Sequence, residues 1–374
     1  MMLSLLLLLA IEPVPYPTQG LTGDALVTHI EQRIKDQGGT PIIEGTVFHM
    51  FYRAEDGREP KILGDFDRWR RGRKPAGTPM THLAGNWYHF GVPAQPKARL
   101  EYLIEVDGKH GPDPRNPRKV ASFSGDTSVA QMPDYPDHPE LERRPGVPAG
   151  KLESFSFKSN LRRNERQVHV YTPAGYGEHR GKLPTLYIAD GSAYAKRGKV
   201  PTILDNLIAD QKIPPVIAVF VDPVDRWLEY RMFTLFRLML LEELMPHLKQ
   251  KWRIDSDRQV LIGGSRGGLS TLDLVTIHPD KFIGAIAFAP AGTETDFGTQ
   301  LRRMEGDPRP QIHILTGSYD FWLPNSVDYY GVMKEKGYRV HFREEPIGHS
   351  IYSWHGYLDE LLIPILAKAT RQQR

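Results

Sequence analysis

The 374-residue chain contains no cysteine, which removes disulfides, thiolate metal sites and a cysteine nucleophile together. Compartment stays open, because a cysteine-free protein folds in either redox environment. The chain also lacks an excess of one charge: 48 Lys and Arg stand against 45 Asp and Glu, a formal net charge of +3. Nucleic-acid binders gather basic residues into a stripe, whereas the short clusters at residues 67–74 and 160–166 read as solvated faces or loops. No nucleic-acid partner is expected. A bilayer-spanning run is missing as well. The apolar stretch of residues 1–11 stops at Glu12 and Pro13 at about half the length a bilayer needs, so no stable membrane insertion is expected. Its length and Ala10 near its end suit a secretory signal, although no Lys or Arg precedes it. Residues 1–20 therefore read as an export leader, cleaved or retained, with an N-terminal core strand as the alternative. That expectation places the protein in the periplasm or outside the cell, with the cytoplasm as the alternative.

What the chain does contain is a globular composition, 40% hydrophobic and 25% charged, long enough for two domains each burying a core. Leu26, Ile30 and Ile34 recur at fours before Gly38-Gly39, which predicts one short amphipathic helix. From residue 41 to 132 the period changes to short alternating runs broken by turn residues, such as "TVFHMFY", "NWYHFGV" and "RLEYLIEVDG". These predict a small β-sandwich, so residues 21–132 form the first domain. Proline and charge crowd residues 133–150, which read as a linker. Beyond it, apolar runs ("QVHVYTP", "LPTLYIAD", "PPVIAVFVD", "RQVLIGGS", "FIGAIAFAP", "PQIHILTG", "YRVHFREE") alternate with helical stretches. Parallel strands need long crossovers, so residues 151–374 are expected to form an α/β domain with a mostly parallel sheet covered on both faces.

The stretch "QVLIGGSRGGLSTLDL" crowds four glycines around Ser265 directly after an apolar run. Gly263-Gly264-Ser265-Arg266-Gly267 matches G-x-S-x-G between a strand-like and a helix-like segment, the setting of a nucleophile elbow. That topology requires an acid and then a histidine on loops after later strands. Asp320 follows "IHILTG" and His349 follows "VHFREE". Asp328 competes for the first role; His341, mid-strand, and His355, in the last helix, compete for the second. A serine hydroxyl needs a base to take its proton, neutral imidazole does so near pH 7, and a carboxylate fixes its tautomer. For the oxyanion, one donor is the N–H of Arg266. The other is expected from "ADGSAYA" at Ser192, with Gly191 allowing the turn, and an ordinary Asp-Gly turn is the alternative. No metal and no organic cofactor is implied.

With these residues placed, the chain resembles the enterochelin-esterase-like branch of an esterase family of α/β-hydrolases that also holds esterase D-type and feruloyl enzymes. The resemblance spans residues 150–366 and rests on "ERQVHVYTPAGY", "LYIADG", "VDPVDRWLEYRM" followed by "EELMPHL", "IGGSRGGLSTL", "TGSYDFWLPN" and "GHSIYSWHGYL". More loosely, "ILGDFDRW" and "DPRNPRKV" are similar to the immunoglobulin-like early-set domain that precedes such esterases. The resemblance implies a serine carboxylic-ester hydrolase acting on a small-molecule ester, with Ser265, Asp320 and His349 as its triad. It places Arg226, Glu229 and Tyr230 near the active-site floor, in substrate contact or in an ion-pair and packing role. Two departures stand out. Arg266 replaces an aromatic or small residue, so it either attracts an anionic substrate or pairs with a nearby carboxylate, and Asp320 stands where some siderophore esterases have glutamate. A ferric catecholate siderophore would call for a basic, aromatic cleft, with Arg226, Arg231, Arg266, Trp322 and Trp354 as candidates. Feruloyl or acetyl groups on plant polysaccharide would call for sugar-stacking aromatics such as Trp69 and Trp87, against which stands a core role for both. A non-catalytic carbohydrate- or partner-binding protein and an acyltransferase complete the alternatives. Oligomeric state is open.

Overall fold

Leu26, Ile30 and Ile34 form one buried stripe on the helix Gly23–Asp36, as spacing at fours dictates. The stripe packs with Tyr16, Ile42, Phe51, Ala84 and Trp87. The computed structural model describes residues 12–55, 57–70, 77–122, 125–230, 233–292 and 295–371. The apolar start of the expected leader, residues 1–11, lies outside them. Downstream of it, Val14 donates its N–H to the Gly91 carbonyl at 3.0 Å, and Tyr16 is buried.

The chain forms two compact units. One runs through Pro136 and adds Ser318–Phe321 and Pro346–Ser350; the other holds Asp137–Gly317, Trp322–Glu345 and the chain from Ile351 onward. In the first unit, strands Ile42–Glu44, Val47–Arg53, Trp87–Pro93 and Thr81–Ala84 lie side by side in that order, all antiparallel. A second sheet runs Thr78–Pro79, Lys61–Gly64, Arg99–Val106, Gly125–Gln131, Lys119–Ser122, with Lys109–Gly111 on Arg99–Val106. Alternation turns one face of each sheet inward: Phe48, Met50, Phe90 and Val92 from the first meet Ile62, Leu100, Tyr102 and Ile104 from the second.

The second unit is built on an eight-stranded sheet in the order Lys151–Ser159, Asn164–Thr172, Ile217–Val221, Leu183–Ala189, Ile254–Gly264, Gly284–Phe288, Gln311–Gly317, Val340–Glu345. The first two strands pair antiparallel and the second meets the third antiparallel, after which every pairing is parallel. Ile217–Val221 and Gly284–Phe288 are buried at every residue, which is why parallel strands read as unbroken apolar runs. This is the α/β sheet that the alternating segments predicted, with one more strand: Lys151–Ser159 carries six Ser, Lys or Glu residues in nine and buries only Phe157 and Ser159. The stretch expected to be a linker is in part fastened down. Arg144 donates to the Asn206 carbonyl at 3.1 Å and to Asp210 at 2.8 Å, and Asn206 donates to the carbonyls of Glu140 and Glu142.

Candidate active site

Ser265 sits between the strand Ile254–Gly264 and the helix Arg266–Ile277 at φ +58°, ψ −126°. A non-glycine residue held there costs on the order of 1–3 kcal/mol. The surroundings hold it: Ser265 donates its N–H to the Phe288 carbonyl at 2.8 Å, and its own carbonyl accepts from Leu269 and Ala291, both at 3.0 Å. Crowding explains the preceding glycines. A Cβ on Gly263 would lie 2.4 Å from the Gly267 carbonyl oxygen, and one on Gly264 would lie 2.4 Å from the Tyr194 hydroxyl and 2.6 Å from the Trp354 ring. Side chains of any size are excluded there, and a strained serine is presented at the end of a parallel strand.

Asp320 and His349 belong to the first unit, each following the end of a sheet strand in the chain. Their side chains meet: His349 Nδ1 lies 2.8 Å from Asp320 Oδ2, with the carboxylate wholly buried and the imidazole 16% exposed. A carboxylate on Nδ1 holds the ring proton there and leaves Nε2 as the basic nitrogen. Phe321 covers the imidazole at 4.5 Å between ring centroids. The rivals are otherwise engaged. Asp328 is 50% exposed and pairs with Arg302 at 2.7 Å, while His341 stacks on His313. His355 is buried, donates from Nδ1 to the Gly198 carbonyl at 2.7 Å, and is pushed down to about 3 by burial.

The expected second oxyanion donor needs correction. Ser192 spends its N–H on Asp222 Oδ1 at 2.6 Å and its hydroxyl on Asp222 Oδ2 at 2.5 Å. His169 Nε2 adds a bond to the same hydroxyl at 2.8 Å, and Ser154 donates to His169 Nδ1 at 2.6 Å. A carboxylate already holds the donor meant for an oxyanion. Gly191 instead opens the helix Gly191–Lys196, where the first N–H groups have no intrahelical partner. Arg266 opens its own helix in the same way.

Of the four candidates for substrate contact, Arg226 and Tyr230 take the ion-pair and packing role that was their alternative, and Trp322 and Trp354 are buried. Arg226 clamps Asp190 through Nε and Nη2 at 2.8 and 2.9 Å and reaches the Gly264 carbonyl at 3.4 Å. It thereby ties the residue before Gly191 to the residue before Ser265. Burial pushes the Asp190 carboxyl up and Arg226 pulls it back. Tyr230 is wholly buried and its hydroxyl accepts the Asp190 N–H at 2.9 Å, so it supports the loop from behind and cannot meet a substrate. Trp322 and Trp354, 9% and 5% exposed, are likewise packed inside, the latter stacked on Phe288. Glu229 is a buried partner of Arg166 at 2.8 and 2.9 Å. Arg231 lies outside the described residues. Arg266 lays its guanidinium 4.2 Å over the ring of Trp227, which is 67% exposed. The sequence reading passed over Trp227, Asp190, Asp222 and His169. Only Asp190, next to the Gly of an Asp-Gly turn, had a local signal. Among the described residues, no group of three or more His, Asp or Glu side chains is placed to hold a metal ion.

Comparison with known proteins adds the following. Residues 159–324 match the model of the family described as "Putative esterase". An endo-1,4-β-xylanase/feruloyl esterase of Xylanibacter ruminicola is 24% identical over 278 residues, covering 70% of this chain and 37% of the relative. An iron(III) enterobactin esterase of Dickeya dadantii is 27% identical over 180 residues, 46% of this chain and 41% of the relative. The chain thus spans about two fifths of the length of these curated relatives. The crystal structure of ferric enterobactin esterase from Salmonella typhimurium superposes with a TM-score of 0.78 at 17% identity, over 91% of this chain and 99% of that one. At that identity the likeness establishes a shared fold.

Proposed function

We propose that the chain, an esterase-family protein over residues 159–324, is a serine carboxylic-ester hydrolase in which Ser265, His349 and Asp320 act as one triad. The observation that carries this reading is the strained backbone of Ser265 between strand and helix, the conformation of a nucleophile elbow. Ser265 Oγ attacks the ester carbonyl carbon while His349 Nε2 takes its proton. The tetrahedral oxyanion receives the N–H groups of Arg266 and Gly191. Collapse expels the alcohol, which takes the proton from the imidazolium, and Asp320 stabilises that imidazolium. Water, deprotonated by His349, then attacks the acyl-enzyme and frees Ser265.

For the substrate, the exposed Trp227 with the Arg266 cation on its ring, one residue from the nucleophile, offers an aromatic face and a positive charge. Both favour an aromatic, electron-rich acyl group, and we read the substrate class as a ferric catecholate siderophore ester. The relative from Xylanibacter ruminicola favours feruloyl esters as the second reading, which the same face suits. The test is one parallel assay of wild type and Ser265→Ala on a short-chain nitrophenyl ester, a catecholate trilactone with and without iron, and a feruloylated oligosaccharide. Cleavage by wild type alone is expected, fastest on the iron-loaded trilactone. Equal turnover by the variant would remove the nucleophile assignment, and preference for the oligosaccharide would replace the substrate class.

A further inference from the structure

The two loops that carry Asp320 and His349 are built into the β-sandwich unit, and one buried carboxylate lies at the junction. Asp65, 2% exposed, directly follows the strand Lys61–Gly64. Its Oδ2 accepts the Glu101 N–H at 2.7 Å, and its Oδ1 accepts the Trp69 indole N–H at 2.8 Å and the His349 backbone N–H at 3.4 Å. The carboxylate also fills the space over Gly348, where an added Cβ would fall 1.8 Å from Asp65 Cγ. Beside it, Glu101 accepts from the Ser350 hydroxyl and from Thr127 at 2.9 Å. Arg99 donates its N–H to the Pro346 carbonyl at 3.1 Å, and Tyr319 donates to the Ile347 carbonyl at 3.2 Å, so the acid-bearing loop is tied to the base-bearing one. Arg68 and Trp69, which carries the indole that reaches Asp65, both adopt left-handed backbone, at φ +55° and +57°. Two strained residues in succession, neither of them glycine, mark a place where geometry outweighs stability.

We infer that Asp65 is a positioning residue for the reaction: the sandwich, through this carboxylate and its Glu101 neighbour, holds the backbone of residues 348–350 and so sets the direction in which His349 presents Nε2. The inference rests on the triad proposed above. A loop that drifts by about 1 Å costs on the order of 10²-fold in rate, because proton transfer depends on alignment. Substrate affinity, governed elsewhere, should hardly change.

The experiment compares full-length wild type, Asp65→Asn, Asp65→Ala, Trp69→Phe and Ser350→Ala, with Ser265→Ala as reference. It measures kcat and KM on a nitrophenyl ester, thermal unfolding, and the low-field proton resonance of the His349–Asp320 hydrogen bond. Expected are a fall in kcat of roughly 10–100-fold for the Asp65 variants and several-fold for the other two, KM within about threefold, and loss or displacement of the low-field resonance in folded protein. If the Asp65 variants fail to fold, Trp69→Phe and Ser350→Ala decide. Folded variants with wild-type kcat and an unmoved resonance overturn the positioning role while leaving the triad intact, provided Ser265→Ala is inactive. A change confined to KM overturns it in favour of substrate contact. Activity surviving in Ser265→Ala would sink the triad itself, a separate outcome.

Discussion

Asp320→Asn isolates the acid without changing side-chain shape. The wild-type carboxylate is buried at 2.8 Å from His349 Nδ1, so on the proposed triad an imidazolium formed during attack would face a full negative charge at contact distance. With an effective dielectric constant of about 20, two unit charges at that separation attract by about 6 kcal/mol, an upper bound on what the charge contributes. An asparagine recovers part of this if its oxygen faces Nδ1. If its NH₂ group faces the ring, Nδ1 must accept, the proton moves to Nε2, and the base is disabled. The expected loss is therefore about 10²–10⁴ in kcat, or about 2.7–5.5 kcal/mol, with KM little changed. Stopped-flow and steady-state hydrolysis of a nitrophenyl ester measure both. Asp328→Asn is the matched control: that carboxylate is half exposed and spends its charge on Arg302, so its removal should alter kcat by less than twofold. An Asp320→Asn enzyme within fivefold of wild type, or an Asp328→Asn enzyme as damaged as its counterpart, would refute the assignment.

Three further outcomes are expected. Trp227→Ala should raise KM about tenfold for catecholate or feruloyl esters and leave nitrophenyl acetate nearly unchanged, because only the aromatic acyl group loses a stacking face; equal effects on both substrates would argue against recognition by this ring. Arg166→Leu should destabilise the fold by about 3–5 kcal/mol in urea titrations, since Glu229 has no exposed surface on which to rehydrate, whereas pairing it with Glu229→Leu should recover much of the loss. Burial holds His355 down at about 3 against 6.5 in the unfolded chain, so as pH falls from 6.5 the unfolded state takes up a proton that the folded state refuses. Wild type should thus lose stability relative to His355→Gln by about 1.4 kcal/mol per pH unit over that range, and a gap that stays constant between pH 6.5 and 5 would show that the imidazole is not buried neutral.

The features legible in the sequence were those whose cause is local. The turn at Ser265 could be read because crowding closes positions 263 and 264 to any side chain and leaves little room at 267 and 268, all within one short segment. The helix Gly23–Asp36 could be read because its apolar stripe is set by spacing alone. Asp320 and His349 could be placed on loops because the strands before them, Gln311–Gly317 and Val340–Glu345, end a few residues earlier. Hidden from the sequence were features made by distant partners that no motif or strand order joins. Asp65 and His349 are separated by 284 positions, and no local pattern announces that the loops of an α/β sheet group with a preceding β unit. Asp222 takes the Ser192 N–H from thirty residues away, which a reading of "ADGSAYA" could not foresee. The strand Lys151–Ser159 was missed because an edge strand, solvated on one side, carries few apolar residues. Trp322 and Trp354, candidates for a cleft that binds a siderophore, and Tyr230, for which packing was the alternative, all lie buried, because a large ring fills a core as well as it lines a cleft.

The same reasoning bears on the β-sandwich, whose signature "ILGDFDRW" invites a sugar-binding interpretation. Stacking on sugar needs a tryptophan face open to water. Trp87 is 1% exposed and its ring is covered by the Arg115 guanidinium at 4.9 Å. Trp69 is turned by two left-handed residues so that its indole N–H reaches Asp65. The same carboxylate also receives the backbone N–H of His349. Trp87 is thus committed to the core of the unit, whereas Trp69, half-buried, gives its indole N–H to Asp65. On this account a sugar polymer should not protect the isolated ring fluorescence of either residue, and titration with xylan that quenched tryptophan emission in a Trp227→Phe background would return the sandwich to a binding role.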